Sequence, residues 1–314
     1  MKAFAVDLGG SHATCALVED GTILDSRRVP TDGKVGLGPV LPALGETFRS
    51  LLSRGGGSLT DQAGLAFGFC GLVDYANNRI VSTNAKYDDG PTLDLGAWCR
   101  REFGIPLKME NDARMALLGE WYAGAARGYE DVVMITLGTG IGGAAMVQGR
   151  LFRGKHSQAG CLGGHFPVNF QGRRCTCGAI GCAESEAATW SLPEVCRCTP
   201  GYELSGLAQD EPVTFEKLFR HADRGDGVAQ QIFDRCLHVW GALLVGLIHA
   251  YDPETIVLGG GAMNNASQIL PFLQGYVERY AWTPWGKVKV RSAGLGNEAG
   301  LLGAVPLLQG LTDL

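Results

Sequence analysis

An α/β fold of two domains is what this sequence predicts, and three observations carry that expectation. A chain of 314 residues, 46% hydrophobic and 19% charged, buries large cores and normally divides in two. A strand, a glycine turn and a second strand occur at 4–18 and again at 132–147, each followed by a short turn, so the chain reads as internally duplicated. Between and after these hairpins, strand-like and helix-like segments alternate.

The first hairpin turns at Gly9-Gly10-Ser11, directly after an apolar run that ends in Leu8 and holds Asp7. Apolar spacing then predicts a helix over 38–54, and Gly55-Gly56-Gly57-Ser58 reads as a flexible loop. A strand is expected at 63–69, a helix at 95–103 and a short strand at 106–110 that leads into Asn111-Asp112. The sequence puts a hinge there. The first domain takes 1–112, completed by a C-terminal helix at about 300–314, and a larger second domain takes 113–299. Met115, Leu118 and Tyr122 give 113–126 the spacing of a helix that crosses from one domain to the other. Beyond the second hairpin and a cysteine-rich loop come a long apolar helix at 230–251, a strand at 255–258 and the loop Gly259-Gly260-Gly261. A helix at 300–308 is expected to pack back on the first domain.

Composition excludes several classes. A net charge of −5 without a basic stripe gives no means of neutralising phosphates along a nucleic acid or a membrane surface. Asp7 comes too early for the apolar core of a signal peptide, and no apolar run is read as long enough to span a bilayer. Ten cysteines in such a chain point to free thiols plus a metal site, and to the cytoplasm.

The two glycine loops suit phosphate, with a plain glycine hairpin as the alternative for the first. Each joins two strands, which rules out the dinucleotide fingerprint with its following helix. Glycines let backbone N–H groups approach oxyanions, Ser11 and Thr139 add hydroxyls, and Asp7 at the strand end is placed to bind Mg²⁺ directly or through water. Gly9, Gly10, Gly138, Gly140 and Gly142 are the candidate nucleotide-binding glycines. Gly260 and Gly261 suit the flat face of an adenine ring, with tight backbone packing as the alternative. The segment 149–156 mimics a P-loop, but His156 stands where the Mg²⁺-binding Ser or Thr belongs.

The run 165–184 offers zinc-type ligands: His165, Cys175, Cys177 and Cys182 make a tetrahedral set, with Gly178 and Gly181 to fold the backbone tightly, and ordinary buried or disulfide-bonded cysteines are the alternative. Four protein ligands imply a structural ion, because no position is left for a reactive water. Glu184, two residues on, reads as a carboxylate held in a pocket by the metal loop. Cys196 and Cys198 are either a further metal contribution or simple thiols. Asp112 reads either as a helix N-cap or as a base that orients a hydroxyl and accepts its proton during phosphoryl transfer, with the Asn111 amide holding another hydroxyl.

Taken in order, Asp7-Leu-Gly-Gly-Ser11, Glu110-Asn-Asp-Ala113, the loop 137–143 and the run 165–184 resemble the ROK family of sugar kinases and related repressors, over nearly the whole length. The resemblance implies a pair of actin-like, hexokinase-type (ribonuclease H-like) domains with a cleft that closes over ATP, Mg²⁺ and a hexose, the zinc being structural. It implies that Asp112 is the catalytic base and that Asn111, Asp112, His165 and Glu184 contact the sugar, His165 also ligating zinc through its other nitrogen. A homodimer is the implied assembly. The repressor branch carries a winged helix-turn-helix ahead of the kinase fold, which here starts at residue 3, so the enzyme branch is expected.

One departure concerns substrate. The family usually reads Ala-Gly-Glu-x-Gly-His before the cysteines, and this chain reads Ala159-Gly160-Cys161-Leu162-Gly163-Gly164-His165. The carboxylate that would meet hydroxyls near the anomeric carbon is gone, a loss of about 1.5 to 3 kcal/mol with a hexose that still offers that hydroxyl. The expected substrate is therefore a glycoside or altered hexose, phosphorylated at a primary hydroxyl, unless Asn84 or Glu186 replaces the contact. A sugar-sensing protein without catalysis is the competing reading.

Overall fold

The computed structural model describes residues 1–55, 57–83 and 85–312. It comprises two compact units, one of Met1–Tyr129, Gln148–Cys161 and Gly294–Leu314, the other of Glu130–Val147 and Leu162–Ala293.

In the first unit, β1 (Lys2–Leu8), β2 (His12–Glu19), β3 (Thr22–Pro30), β4 (Gln62–Phe69) and β7 (Leu107–Asn111) form a sheet in the order β3-β2-β1-β4-β7. The strands β5 (Leu72–Asp74) and β6 (Arg79–Ser82) make a separate ribbon. Ala3 to Val6 are all buried, as a central strand covered on both faces requires. The helix α1 (Leu41–Gly55) buries Leu41, Leu44, Phe48, Leu51 and Leu52, its one apolar stripe. A 3₁₀ turn at Gly38–Val40, with Pro39 inside it, precedes α1 and takes up the start of the expected helix. Helix α2 (Leu95–Phe103) starts where the Asp94 carboxylate accepts from the Ala97 N–H and stops at Gly104 in the left-handed region. Phe4, Phe48 and Phe103 meet in the core with ring centroids 4.4 to 5.9 Å apart.

Helix α3 (Asp112–Ala123) lies in this unit rather than crossing out of it. The reason is backbone contact with the two short C-terminal helices α9 (Ala299–Leu302) and α10 (Ala304–Gln309), which take the place of the single helix expected at 300–308. A Cβ at Gly119 would overlap the Ala299 carbonyl oxygen, and one at Gly303, where α9 gives way to α10, would overlap that of Met115. Buried Glu120 ties the same elements together: its carboxylate accepts from the N–H groups of Ala125 (2.7 Å), Gly294 (3.0 Å) and Leu295 (2.8 Å). By taking the Ala125 N–H, it also ends α3 short of 126.

The second unit repeats the pairing plan. Strands β8 (Val132–Leu137), β9 (Ile141–Val147), β11 (Thr255–Gly259) and β12 (Lys289–Ser292) run β9-β8-β11-β12 within it, while the two-residue β10 (Arg150–Leu151) lies in the return segment of the first unit. The pairs β8/β9 are antiparallel and β8/β11 and β11/β12 parallel, matching β1/β2, β1/β4 and β4/β7 in turn. Helices α4 (Ala183–Ala187), α5 (Leu192–Arg197), α6 (Phe215–Asp223), α7 (Gly227–Tyr251) and α8 (Ala266–Tyr280) complete the unit. Helix α7 begins three residues before the expected start because Asp226 caps the Val228 and Ala229 N–H groups. By length and composition α7 is long and apolar enough to cross a bilayer, contrary to the sequence reading. In the fold its Ile232, Cys236, Trp240, Leu244 and Leu247 sit in the core of this unit, and the Trp240 indole N–H donates to the Ala187 carbonyl.

Replacing Glu120 by Ala removes the acceptor of three charge-assisted hydrogen bonds at once. Urea unfolding is expected to show a loss of about 3 kcal/mol or more, and a loss below about 1 kcal/mol would mean that the carboxylate does not hold these segments together.

Candidate functional site

In the first unit, the chain leaving β1 makes a tight turn in which the Gly9 N–H donates to the His12 carbonyl (3.0 Å). This turn is held from outside. The Gly33 N–H donates to the Gly10 carbonyl (3.0 Å), the Tyr87 N–H to the Gly33 carbonyl (2.5 Å), and the Tyr87 hydroxyl to the Gly9 carbonyl (2.5 Å). Ser11 remains exposed at the tip, its hydroxyl 3.3 Å from His12 Nδ1. Asp7 lies one residue before the strand end, and burial raises its carboxyl above the usual range while His12 pulls the other way. Gly300 allows α9 to come close: a Cβ there would lie 3.3 Å from the Asp7 carboxyl carbon.

Asp112 stands at the corner where β7 becomes α3. The N-cap is Asn111, whose side-chain oxygen accepts from the Ala113 (3.1 Å) and Arg114 (3.2 Å) N–H groups. The Asn111 amide nitrogen donates to the Gly71 carbonyl (3.1 Å) and to the Asp112 carboxylate (2.9 Å). Two donors and two acceptors are thus all engaged, so a sugar hydroxyl meets Asn111 only by taking over one of these bonds. With the cap supplied by Asn111, Asp112 occupies the first helical position, where its carboxylate accepts from Ala113 N–H (2.8 Å). Burial first, and then the negative charge of Asp7, push its pKa up to about 6, against the Ala113 N–H and Lys86. The first unit therefore brings together Asp7, the Gly9–Ser11 turn, Asn111 and Asp112.

In the second unit, the loop 138–140 is closed by the Gly138 N–H donating to the Gly140 carbonyl (3.0 Å) and is braced by Thr189, whose hydroxyl donates to the Gly138 carbonyl (2.8 Å). Glu184 is fastened to the same loop: one carboxylate oxygen accepts from the Ile141 N–H (2.8 Å), the other from the Trp190 indole N–H (3.2 Å). A side chain at Gly140 would collide with it. Gly260 has φ +89° and a Cβ there would run into the Leu137 backbone, so its identity follows from packing; Gly261 faces open space.

His165, Cys175, Cys177 and Cys182 converge, with their ligand atoms all within 4.8 Å of one another. Cys177 and Cys182 sulfurs are 3.7 Å apart, and Cys175 sulfur is 3.5 Å from His165 Nδ1. A tetrahedron with Zn–S bonds of about 2.3 Å has edges of about 3.8 Å, so the cluster fits zinc, with Nδ1 as the facing nitrogen of His165. Gly178 and Gly181 both have positive φ, +92° and +68°, and Gly181 lies against the Asn169 backbone.

Cys161 and Leu162, where the family carboxylate is missing, are now defined. The Cys161 thiol turns back into its own loop, toward the carbonyls of Gln158 (3.3 Å) and Ser157 (3.8 Å). Leu162 is exposed. Glu186 does not replace the lost group: it is fully buried, accepts from the Arg173 N–H (2.6 Å) and pairs with the Arg173 and Arg235 guanidinium groups. Asn84 lies outside the described residues. Cys196 is buried among apolar residues and Cys198 is exposed, both apart from the metal-type cluster.

Two residues escaped the sequence reading. Arg114, fully buried, pairs with Glu110 (3.2 Å) and donates to the carbonyls of Phe152, Ser157 and Ala159, which fixes the segment that ends at Cys161. Its signal was an arginine four residues after an acid at the start of an otherwise apolar helix. Lys86, whose side chain lies along Gly10 and Gly33, had no local signal at all.

Two α/β units built on matching glycine hairpins, one with a capped Asp at a strand–helix corner and the other with a His–Cys₃ cluster, define the actin-like sugar-kinase class. The chain belongs to the ROK family, whose model matches residues 3–310. It is 31% identical to a glucokinase from Thermotoga maritima over 98% of each chain, and 28% identical to a β-glucoside kinase from Klebsiella pneumoniae over 97% of this chain and 95% of that one. Among solved structures, a ROK hexokinase from Thermus thermophilus superposes with a TM-score of 0.82 at 31% identity, covering all of both chains. A ROK family glucokinase from Streptomyces griseus in complex with glucose and AMPPNP gives 0.80 at 27% identity, covering 99% of this chain and 100% of that one.

Elemental analysis is expected to find about one zinc per chain. Chelation, or Cys182→Ala, is expected to lower the melting temperature by about 10 °C; an unchanged melting point after complete metal loss would rule out a structural ion.

Proposed function

We propose that this chain transfers the γ-phosphoryl group of ATP to a primary hydroxyl of a sugar, with Asp112 as the general base. The observation that carries the reading is Asp112 itself, a carboxylate fixed by Asn111 beside the Gly9–Ser11 turn and tuned to titrate near 6. As the acceptor oxygen bonds to the γ-phosphorus and the bond to ADP breaks, the hydroxyl proton passes to Asp112.

Asn111 is the positioning residue for this base. The first glycine turn and Ser11, with Gly138, Thr139, Gly140 and Gly142 in the other unit, are the phosphate-binding backbone of the reading, and Gly261, open to solvent, suits the adenine. Asp7, a part-buried carboxylate next to that turn, has the oxygen donor that Mg²⁺ takes, directly or through water. Such an ion supplies charge neutralisation on the phosphates. The second unit contributes sugar contacts: His165 through Nε2, the nitrogen turned from the cluster, and Glu184, whose carboxylate is oriented by Ile141 and Trp190. Zinc in that cluster fixes the loop and takes no part in the chemistry.

The substrate is a hexose substituted or altered near its anomeric carbon. What supports this is the loss of the family carboxylate, with Cys161 turned away, Leu162 apolar and Glu186 already paired. The β-glucoside kinase among the relatives has a name in keeping with it. The missing carboxylate also favours a sugar sensor without turnover, and detectable sugar binding with no ATP consumption would select that reading.

Three results are expected. In a coupled ADP-release assay over a sugar panel, a glycoside or modified hexose outperforms glucose; glucose as the clear best substrate refutes the specificity. Asp112→Asn lowers kcat by about 10²- to 10⁴-fold with sugar affinity nearly kept, and unchanged turnover removes Asp112 from the mechanism. Because the raised pKa leaves Asp112 protonated in acid, kcat/KM should climb up to about tenfold per pH unit below pH 6 and level off above it; a flat profile from pH 5 to 7 would contradict the base.

A further inference from the structure

The segment after β6 carries a cation to the phosphate-type turn of the first unit by a strained route. Ala85 and Tyr87, on either side of Lys86, have φ of +53° and +60°, a conformation that side chains other than glycine, asparagine and aspartate seldom adopt. Such strain persists only where the surroundings over-determine it, and here they do. Tyr87 is fully buried; its N–H donates to the Gly33 carbonyl, and its hydroxyl bonds the Gly9 carbonyl and Thr31 (2.7 Å). Lys86 is thereby laid across the turn. A Cβ at Gly10 would lie 3.1 Å from Lys86 Cε and 3.2 Å from its Nζ, and one at Gly33 would lie 2.9 Å from Lys86 Cβ. Gly33 thus makes room for the base of the lysine side chain, and Gly10 lets its end lie close along the turn.

Its ammonium makes no hydrogen bond or ion pair among the described residues. Yet it lies in the field of the site: it opposes the upward push on the Asp112 carboxyl, and on the half-buried Cys70 thiol, which burial and Asp112 raise to about 11. A half-buried ammonium without an ion pair, beside a turn whose Gly10 and Ser11 N–H groups make no hydrogen bond among the described residues, is a preorganised receptor for an anion.

We propose that Lys86 binds the γ-phosphoryl group of the nucleotide and stabilises its charge during transfer. The assignment rests on the kinase reading above. Lys86 exchanges no proton or electron pair: the acceptor oxygen bonds to the γ-phosphorus, ADP leaves, the proton goes to Asp112, and the ammonium compensates the equatorial phosphoryl oxygens throughout.

The test uses the full chain and Lys86→Met, which keeps the stem and removes the charge, with Lys86→Arg as the charge-retaining control. With the best sugar of the panel, Lys86→Met should lose about 10²- to 10³-fold in kcat at nearly unchanged sugar KM, and Lys86→Arg should recover part of it. Independently of turnover, calorimetry should show AMPPNP binding weakened about tenfold by Lys86→Met and ADP binding unchanged. Unchanged kcat with an unchanged AMPPNP-to-ADP affinity ratio overturns the assignment, as does an effect confined to sugar KM. A wild-type chain that binds AMPPNP but phosphorylates no sugar defeats the kinase reading, while the affinity ratio still decides Lys86.

Discussion

The constraint on which the site depends is the commitment of one amide. Asn111 ends β7, caps α3 with its oxygen, and spends its nitrogen on the Gly71 carbonyl and the Asp112 carboxylate. The corner between strand and helix is then rigid, and the acid sits on it in a fixed orientation. The Ala113 N–H is shared between the Asn111 oxygen and the Asp112 carboxylate, and the Asn111 oxygen alone serves Arg114. Both hydrogen bonds to the Asp112 carboxylate end on Oδ1, which leaves Oδ2 for chemistry.

Close backbone approach is what surrounds that corner with the right neighbours. Gly119 and Gly303 let α3 touch α9 and α10, Gly300 lets α9 reach Asp7, and Gly10 and Gly33 let Lys86 lie along the turn. Burial raises the Asp7 and Asp112 carboxyls. The same packing that stabilises the first unit thus sets the proton affinity of its acids.

The second unit solves a different problem, that of holding a loop with little core of its own. Its segment 166–181 buries few apolar groups and includes exposed Phe170 and Ile180, so the His–Cys₃ cluster and the Arg173–Glu186–Arg235 network do the ordering. Engaging Glu186 in that network removes it from ligand binding, and the inward turn of Cys161 removes a second polar group. Leu162 beside it presents an exposed apolar side chain.

Local features can be read from the order of residues alone. Alternation and glycine turns gave both hairpins, apolar periodicity gave α1, α2 and α7, and ligand spacing within a short stretch gave the four-residue metal cluster, because each is written in neighbouring residues. Partners that come from far along the chain are set by the folded packing. It put α3 with the first unit, split the last helix at Gly303, paired Glu186 with Arg235, and laid Lys86 over Gly10. A buried polar group must find a partner wherever folding brings one, and no periodicity in the sequence records which partner that is.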